Sequence, residues 1–280
     1  MKVKKLVILA AGLGTRFLPI TKGVSKEMLP LVDEPIIHKL VEEGRLSGIE
    51  DIYIVIGDKR ESLKYFYGKD EVLETKLRDN NKIEELDKVI ELSNINVHYI
   101  YQKEALGTGY ALLLAEEYIG DEPFAVMYGD DLFKGEVPAI SEAIELYEKY
   151  DSNVMGMVTV PHESTYKYGV LKLGDNNKVL GIVEKPKVED APSNYVFIGR
   201  LILKPEIFSL LKNVGKTNGE YYLTDALNVL MERGEMYACS FSSKYFDTGN
   251  KLSYLKASLA YAFDDENMKK EIIEFIKNYE

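Results

Sequence analysis

The sequence predicts an α/β fold, a doubly wound and mostly parallel sheet to which further strands are added in a mixed sheet. Three observations predict it. Strand-like and helix-like segments alternate through the first half of the chain. The strand-like segments are mostly runs of Val, Ile, Leu and Tyr, as strands covered on both faces must be. The first of them, Leu6-Val7-Ile8-Leu9, runs straight into Ala10-Ala11-Gly12-Leu13-Gly14, a tight loop of small residues. Open α/β sheets bind ligands at the carboxyl ends of their strands.

The elements follow in order. Strands are expected at 3–10, 52–56, 97–101 and 124–128, and helices at 35–47, 107–118 and 137–150. Pro35 suits a first helical position, where a missing N–H costs nothing. Segment 61–94 is charged and helical in pattern, a small peripheral insertion. The second half brings strands at 154–160, 168–174, 178–184 and 194–203, with Gly174-Asp175-Asn176-Asn177 as a hairpin turn. Helices return at 205–212 and 223–233. Strands at 236–241 and 244–247 precede C-terminal helices at 251–263 and 266–279. No repeat, low-complexity tract or Pro/Gly/Ser linker divides the chain, so residues 1–280 are read as a single domain.

The net charge of −11 argues against non-specific nucleic-acid binding and against an anionic membrane surface. It leaves phosphate ligands open, because those need only a few local cations. The one cysteine, Cys239, rules out an internal disulfide and fits a reducing compartment. The apolar run after Lys4-Lys5 is too short for a secretory signal. No stretch approaches the roughly 18 to 20 apolar residues of a transmembrane helix. A cytoplasmic protein with no nucleic-acid and no membrane partner is expected.

The glycine loop carries the chemistry. Backbone amides there can point at phosphate oxygens. The loop is not a dinucleotide fingerprint, because Phe17 stands at the third glycine position and Pro19 where a helix would start. Nor does Gly-Lys-Ser/Thr close it as a P-loop. A Gly-x-Gly after a strand is as often a plain tight turn as a phosphate loop. Arg16 and Lys26 tip the balance, since amides with two fixed cations make a triphosphate receptor and stabilise charge developing at phosphorus. Asp130 ends the strand before it and could give Mg²⁺ one or two ligand positions, although an isolated Gly-Asp-Asp is more often a loop cap. Gln102 ends another strand and offers the donor and acceptor that a pyrimidine edge requires. Thr108 is a candidate cap for the helix that follows.

Leu9-Ala10-Ala11-Gly12-Leu13-Gly14-Thr15-Arg16 and Lys26-Glu27-Met28-Leu29-Pro30 resemble the signature of sugar-1-phosphate nucleotidylyltransferases. With Leu31-Val32-Asp33-Glu34-Pro35, the resemblance is closest to the bacterial UTP–glucose-1-phosphate uridylyltransferase branch. It continues in order through Gln102–Gly107, Gly129-Asp130-Asp131, Lys167–Val170, Val183–Pro186, Glu189–Asn194, Leu223–Ala226 and Phe246–Gly249.

The resemblance implies a Rossmann-like sheet, with the added strands covering the sugar side of the site. It implies transfer of a uridylyl group from UTP to glucose 1-phosphate, with Mg²⁺ as cofactor and a homodimer or homotetramer as the working form. Arg16, Lys26 and Asp130 become the catalytic candidates, and Asp130 with Asp247 the metal candidates. Ala10, Ala11, Gly12, Gly14, Gln102 and Gly107 are expected to bind the nucleotide. Gly169, Glu184, Lys185 and Gly199 are expected to bind the sugar phosphate. Asp131 is left a loop or supporting role.

The chain departs from the resembled branch at a few places. It reads Pro19-Ile20-Thr21-Lys22 where Pro-Ala-Thr-Lys is usual, and Ser25 stands where proline precedes the lysine motif. Tyr221 and Tyr222 replace an aliphatic residue and Gln. Two other readings remain. One is the same transfer with another nucleotide or sugar, such as thymidylyl transfer. The other is a non-catalytic homologue, whose mark would be a damaged loop or lysine motif; both are whole.

Overall fold

Strand Lys5–Ala10 lies between Asp51–Gly57 and Phe124–Tyr128, parallel to both. Val97–Gln102 adds a fourth parallel strand on the far side of Asp51–Gly57. The computed structural model describes residues 2–57 and 61–279; residues 1, 58–60 and 280 of the expected domain lie outside it. The four expected strands of the first half are present, and their registers bring Ala10, Gly57, Gln102 and Tyr128 to one edge of the sheet.

Alternation along the strands explains why both faces are covered. From strand Lys5–Ala10, residues Leu6, Ile8 and Ala10 enter one core, and Val7 enters the other. Helices Ile36–Leu46 and Ala139–Tyr150 bury Ile37, Leu40, Ile140 and Ala143 on the first face. Helices Glu206–Val214 and Leu223–Glu232 bury Leu211, Leu227 and Leu230 on the second. The sheet is thus doubly wound. Helix Ile36–Leu46 stops at Gly48, whose φ of 80° only glycine adopts readily. Gly48 N donates to Arg45 O and Ile49 N to Gly44 O, closing a Schellman motif.

The added strands join through Tyr195–Leu203, which runs antiparallel to Phe124–Tyr128, to Asn153–Thr159 and to Gly169–Leu173. Met236–Ser240 pairs parallel with Asn153–Thr159. Gly169–Leu173 and Val179–Glu184 form the expected hairpin, turned by Asn176 and Asn177 at φ of 54° and 61°. Among the described residues this makes one nine-stranded sheet. Three helices, Glu61–Tyr67, Glu71–Asp79 and Ile83–Ser93, fill the segment before Val97.

Four details differ from the sequence reading. Asp131–Lys134 is a strand; it pairs antiparallel with Lys244–Asp247 in a separate ribbon, Asp131 opposite Asp247. Four residues are too few to show a period. The helix expected at 107–118 is two, Thr108–Leu113 and Glu116–Ile119. Pro35 is the extended residue before its helix, not the first helical one. Thr108 does not cap its helix: Gly107 holds the cap position at φ 91°, and the Thr108 hydroxyl faces the Leu223 amide at 3.5 Å. No helix of the described residues is long and apolar enough to cross a membrane.

One ion pair lies wholly inside. Arg200 is fully buried; its Nε donates to Glu43 Oε1 at 2.9 Å and its Nη2 to Oε2 at 2.8 Å. Glu43 also accepts from Ile140 N at 3.0 Å, so the pair ties the sheet to two helices. Breaking such a pair from one side costs about 3–5 kcal/mol, whereas apolar replacement of both partners is often neutral. Arg200→Met should therefore lower the urea midpoint strongly, and Glu43→Leu with Arg200→Met should restore most of it. A double variant as unstable as the single one would show that geometry, not charge, is what the pair supplies.

Candidate active site

The glycine loop leaves the sheet at Ala10 and folds back on itself. Gly14 has φ 64°, and a Cβ there would meet Thr21 Cγ2 at 3.1 Å and Lys26 Cβ at 3.3 Å. The Thr21 hydroxyl donates to Gly14 O at 2.8 Å. Three single-turn 3-10 segments, Thr15–Phe17, Ile20–Lys22 and Lys26–Met28, then carry the chain round. They bring the Lys26 ammonium over Gly12, where an added Cβ would lie 3.7 Å from Nζ.

Lys26 Nζ donates to Asp130 Oδ2 at 2.6 Å and lies 3.8 Å from Glu27 Oε1. Burial works to lower the pKa of the ammonium, but the Asp130 and Glu27 charges more than reverse it and leave it raised. Glu27 is fully buried, with its Oε2 accepting from the Ser25 hydroxyl.

Asp247 reaches the same place through the ribbon. Thr248 donates to Asp130 O at 2.8 Å from both its amide and its hydroxyl. Asp247 Oδ1 accepts from Gly249 N, and its Oδ2 from Asn250 Nδ2, each at 2.9 Å. Arg16 Nη1 donates to Gly249 O at 3.3 Å. A Cβ on Gly249 would stand 2.8 Å from Asp130 Oδ2, 2.9 Å from Asp247 Oδ1 and 3.4 Å from Arg16 Nη1. Glycine here leaves open a cradle with two carboxylates on its wall. Among the described residues no group of three or more His, Cys, Asp or Glu side chains forms a metal site. The donor set therefore suits a hard cation that takes only one or two protein carboxylates and fills its shell from phosphates and water.

Asp131 points the other way. Its Oδ2 accepts from Gly199 N at 2.6 Å and its Oδ1 from Tyr245 Oη at 2.5 Å. Burial, then the Asp130 charge, pushes its carboxyl up to about 6. This supporting position agrees with the role left to it by the sequence. Gly199 is a packing glycine: a Cβ would fall 2.2 Å from Tyr128 Cγ, and its N–H is committed to Asp131.

In the hairpin, Gly169 faces Glu184 in register, and a Cβ on Gly169 would lie 3.1 Å from Glu184 Oε2. Lys185 sits exposed at φ 45°, its amide donating to Tyr168 O at 3.0 Å. The Tyr168 hydroxyl pKa is raised by burial and then by the Asp247 and Asp131 charges. A cleft of about 650 Å³ opens beside it, lined by Tyr168, Asp247, Asn250 and Lys256. A cavity of about 700 Å³ lies elsewhere, lined by Lys39, Glu42, Lys134 and Tyr261, and includes none of Arg16, Lys26, Asp130 or Asp247.

At the end of strand Val97–Gln102, Gln102 is buried and its Nε2 donates to Glu104 O at 2.8 Å, which fixes the carboxamide. Gly107 packs against the chain itself: a Cβ would meet Tyr221 O at 2.6 Å. Tyr221 in turn accepts from Gly109 N at 2.9 Å and donates its amide to Leu106 O at 2.8 Å.

The fold thus gathers Gly12, Arg16, Lys26, Asp130 and Asp247 at one point and pairs Gly169 with Glu184 nearby. Sequence reasoning missed Ser25, Glu27, Tyr245 and Gly249. Glu27 entered the sequence reading only as a member of the Lys26–Pro30 run, with no role of its own.

The family model for nucleotidyl transferases matches residues 5–263. The chain belongs to the nucleotidyl transferase family. Its relatives include the UTP–glucose-1-phosphate uridylyltransferase 2 of Staphylococcus saprophyticus, 43% identical over 99% of this chain and 98% of that protein. The Bacillus subtilis UTP–glucose-1-phosphate uridylyltransferase is 41% identical over 99% of this chain and 97% of its own. A UTP-bound UGPase structure from Acinetobacter baumannii superposes with a TM-score of 0.92, at 33% identity, over 99% of this chain and 100% of that one.

The electrostatics of this nucleotidyl transferase have a consequence for its stability. Burial pushes the Glu27 carboxyl from 4.5 up to about 7, against the lowering pull of Lys26 and Ser25. The folded chain then binds this proton more tightly than the unfolded chain. The stabilising contribution is complete below 4.5 and falls as pH rises to about 7. Glu27→Gln should remove that slope. In urea melts the variant should gain on the wild type between about pH 5 and about pH 8. A stability difference that does not change with pH would place the carboxyl back in its ordinary range.

Proposed function

We propose that the chain transfers the uridylyl group of UTP to glucose 1-phosphate, giving UDP-glucose and pyrophosphate. The observation that carries this reading is the convergence of Arg16, Lys26, Asp130 and Asp247 around Gly249, below a glycine loop. The names of the relatives supply the substrates. The domain acts as one unit from 1 to 280, with 61–94 as a helical insertion and 251–279 as C-terminal helices. A cytoplasmic homodimer or homotetramer belongs to the same reading.

A phosphate oxygen of glucose 1-phosphate attacks the α-phosphorus of UTP in line. The P–O bond to the leaving pyrophosphate breaks as the new one forms. The attacking phosphate is already ionised at neutral pH, so no general base is required. Positioning and charge neutralisation supply the rate. Arg16 holds the β- and γ-phosphates and the departing pyrophosphate. Lys26 bridges the α-phosphate and the attacking phosphate. Ala10, Ala11, Gly12 and Gly14 present backbone at the nucleotide. Gln102, held by Glu104 O, offers its remaining amide groups to the uracil edge. Glu184 accepts sugar hydroxyls across Gly169, and Lys185 holds the sugar phosphate as a point charge. Asp130 and Asp247 would hold Mg²⁺, which offsets phosphate charge when bound.

Pyrophosphate release across a matrix of nucleoside triphosphates and sugar 1-phosphates tests the reading. UTP with glucose 1-phosphate should give the highest kcat/KM, and chelation of divalent cations should abolish turnover. Arg16→Ala should cost kcat about a hundredfold or more, the worth of one transition-state donor at about 2.7–4 kcal/mol. Full activity in that variant, or a preference for dTTP, would overturn the phosphate or the base assignment respectively.

The two substrates separate by residue. Lys185→Ala should raise KM for glucose 1-phosphate at least tenfold while changing KM for UTP less than about threefold, because its ammonium, 3.5 Å from Glu184 Oε1, is assigned to the sugar phosphate and not to the nucleotide. Equal losses for both substrates would make Lys185 a structural residue.

A further inference from the structure

Glu27 is a buried carboxylate with no part in the reaction as derived above. Its Oε2 is held by the Ser25 hydroxyl, itself buried, and its Oε1 has no hydrogen-bond donor among the described residues. Among the described residues, the cation paired with that oxygen is the Lys26 ammonium, 3.8 Å away. Glu27 also lies against the backbone that presents Asp130. A Cβ on Gly129 would meet its Cγ at 3.0 Å and its Oε1 at 3.3 Å. Lys26 is therefore held by two carboxylates, Asp130 at 2.6 Å and Glu27 at 3.8 Å. The two grips are unequal. Asp130 is open to solvent and to the cradle at Gly249, so ligands compete for it. Glu27 is sealed, and its geometry is set by a hydroxyl that a proline at position 25 would lack.

We propose that Glu27, locked by Ser25, is the positioning residue that keeps the Lys26 ammonium on its line to the phosphates when Asp130 engages other partners. The inference rests on the proposed uridylyl transfer for its kinetic consequence but not for the contact itself. A side chain that only aims Lys26 adds nothing to ground-state binding of either substrate. It acts where charge develops, and a misplaced catalytic group can cost about a hundredfold in rate. Ser25 shares the role at one remove, through the orientation of the carboxylate.

The test uses the full chain in two variants. Glu27→Gln keeps the shape and removes the charge. Ser25→Ala keeps the charge and releases the carboxylate. Glu27→Gln should lower kcat at least tenfold, with KM for UTP and for glucose 1-phosphate within about threefold and an undiminished melting temperature. Ser25→Ala should lower kcat less, with the same split, and Glu27→Asp should recover part of the loss. Independently of turnover, the ¹⁵Nζ resonance of Lys26 in ligand-free protein, identified by its loss in Lys26→Ala, should shift or broaden in Glu27→Gln. A kcat within twofold of wild type, or a loss confined to KM, overturns the proposal. So does an unmoved Lys26 resonance. If Glu27→Gln unfolds, Ser25→Ala alone decides by the same split. If the wild type releases no pyrophosphate from UTP and glucose 1-phosphate, the substrate reading fails, and the resonance still decides whether Glu27 holds Lys26.

Discussion

The pairing of Asp131–Lys134 with Lys244–Asp247 is the constraint on which the site depends. Asp130 ends a buried parallel strand and would face solvent alone. The ribbon sets Asp247 beside it, and Thr248 clamps the join with two donors on the Asp130 carbonyl. Asp131 anchors the ribbon to the sheet, because its carboxylate takes the Gly199 amide on one side and the Tyr245 hydroxyl on the other. Gly199 can serve there only because the Tyr128 ring occupies the space of a side chain.

That arrangement crowds negative charge. Glu27, Asp130, Asp131 and Asp247 stand together, and burial, then the Asp130 charge, makes Asp131 resist ionising. Lys26 is what makes the crowd tolerable, since its ammonium is shared by Asp130 and Glu27. A cluster with unbalanced negative charge is also one prepared for cations. The same charges that strain one another suit a positively charged partner.

Most of the fold was legible because long apolar runs betray buried strands, and Gly174–Asn177 betrays a turn. Arg16, Lys26 and Asp130 were legible because each follows a strand end or a recognisable run. Asp131–Lys134 was not, because four residues cannot display a period and its partner lies more than a hundred positions away. Glu27 was hidden for a different reason. The lysine motif gave it no role of its own, and only the folded chain shows its side chain fully buried and packed against Gly129. Gly107 was expected beside the nucleotide, and nothing in the sequence signals that the Tyr221 carbonyl lies where its Cβ would stand.

The bond from Arg16 to Gly249 joins residues 233 positions apart. A ribosome adding about 5–20 residues per second delivers Gly249 on the order of 10–50 s after Arg16. Through that interval the glycine loop and the four parallel strands can pack, but the second carboxylate and the residue that anchors Arg16 do not yet exist. The nascent chain therefore cannot hold a finished phosphate site while its sheet is still being built. A receptor built from these residues is complete only once the chain has been made past Gly249.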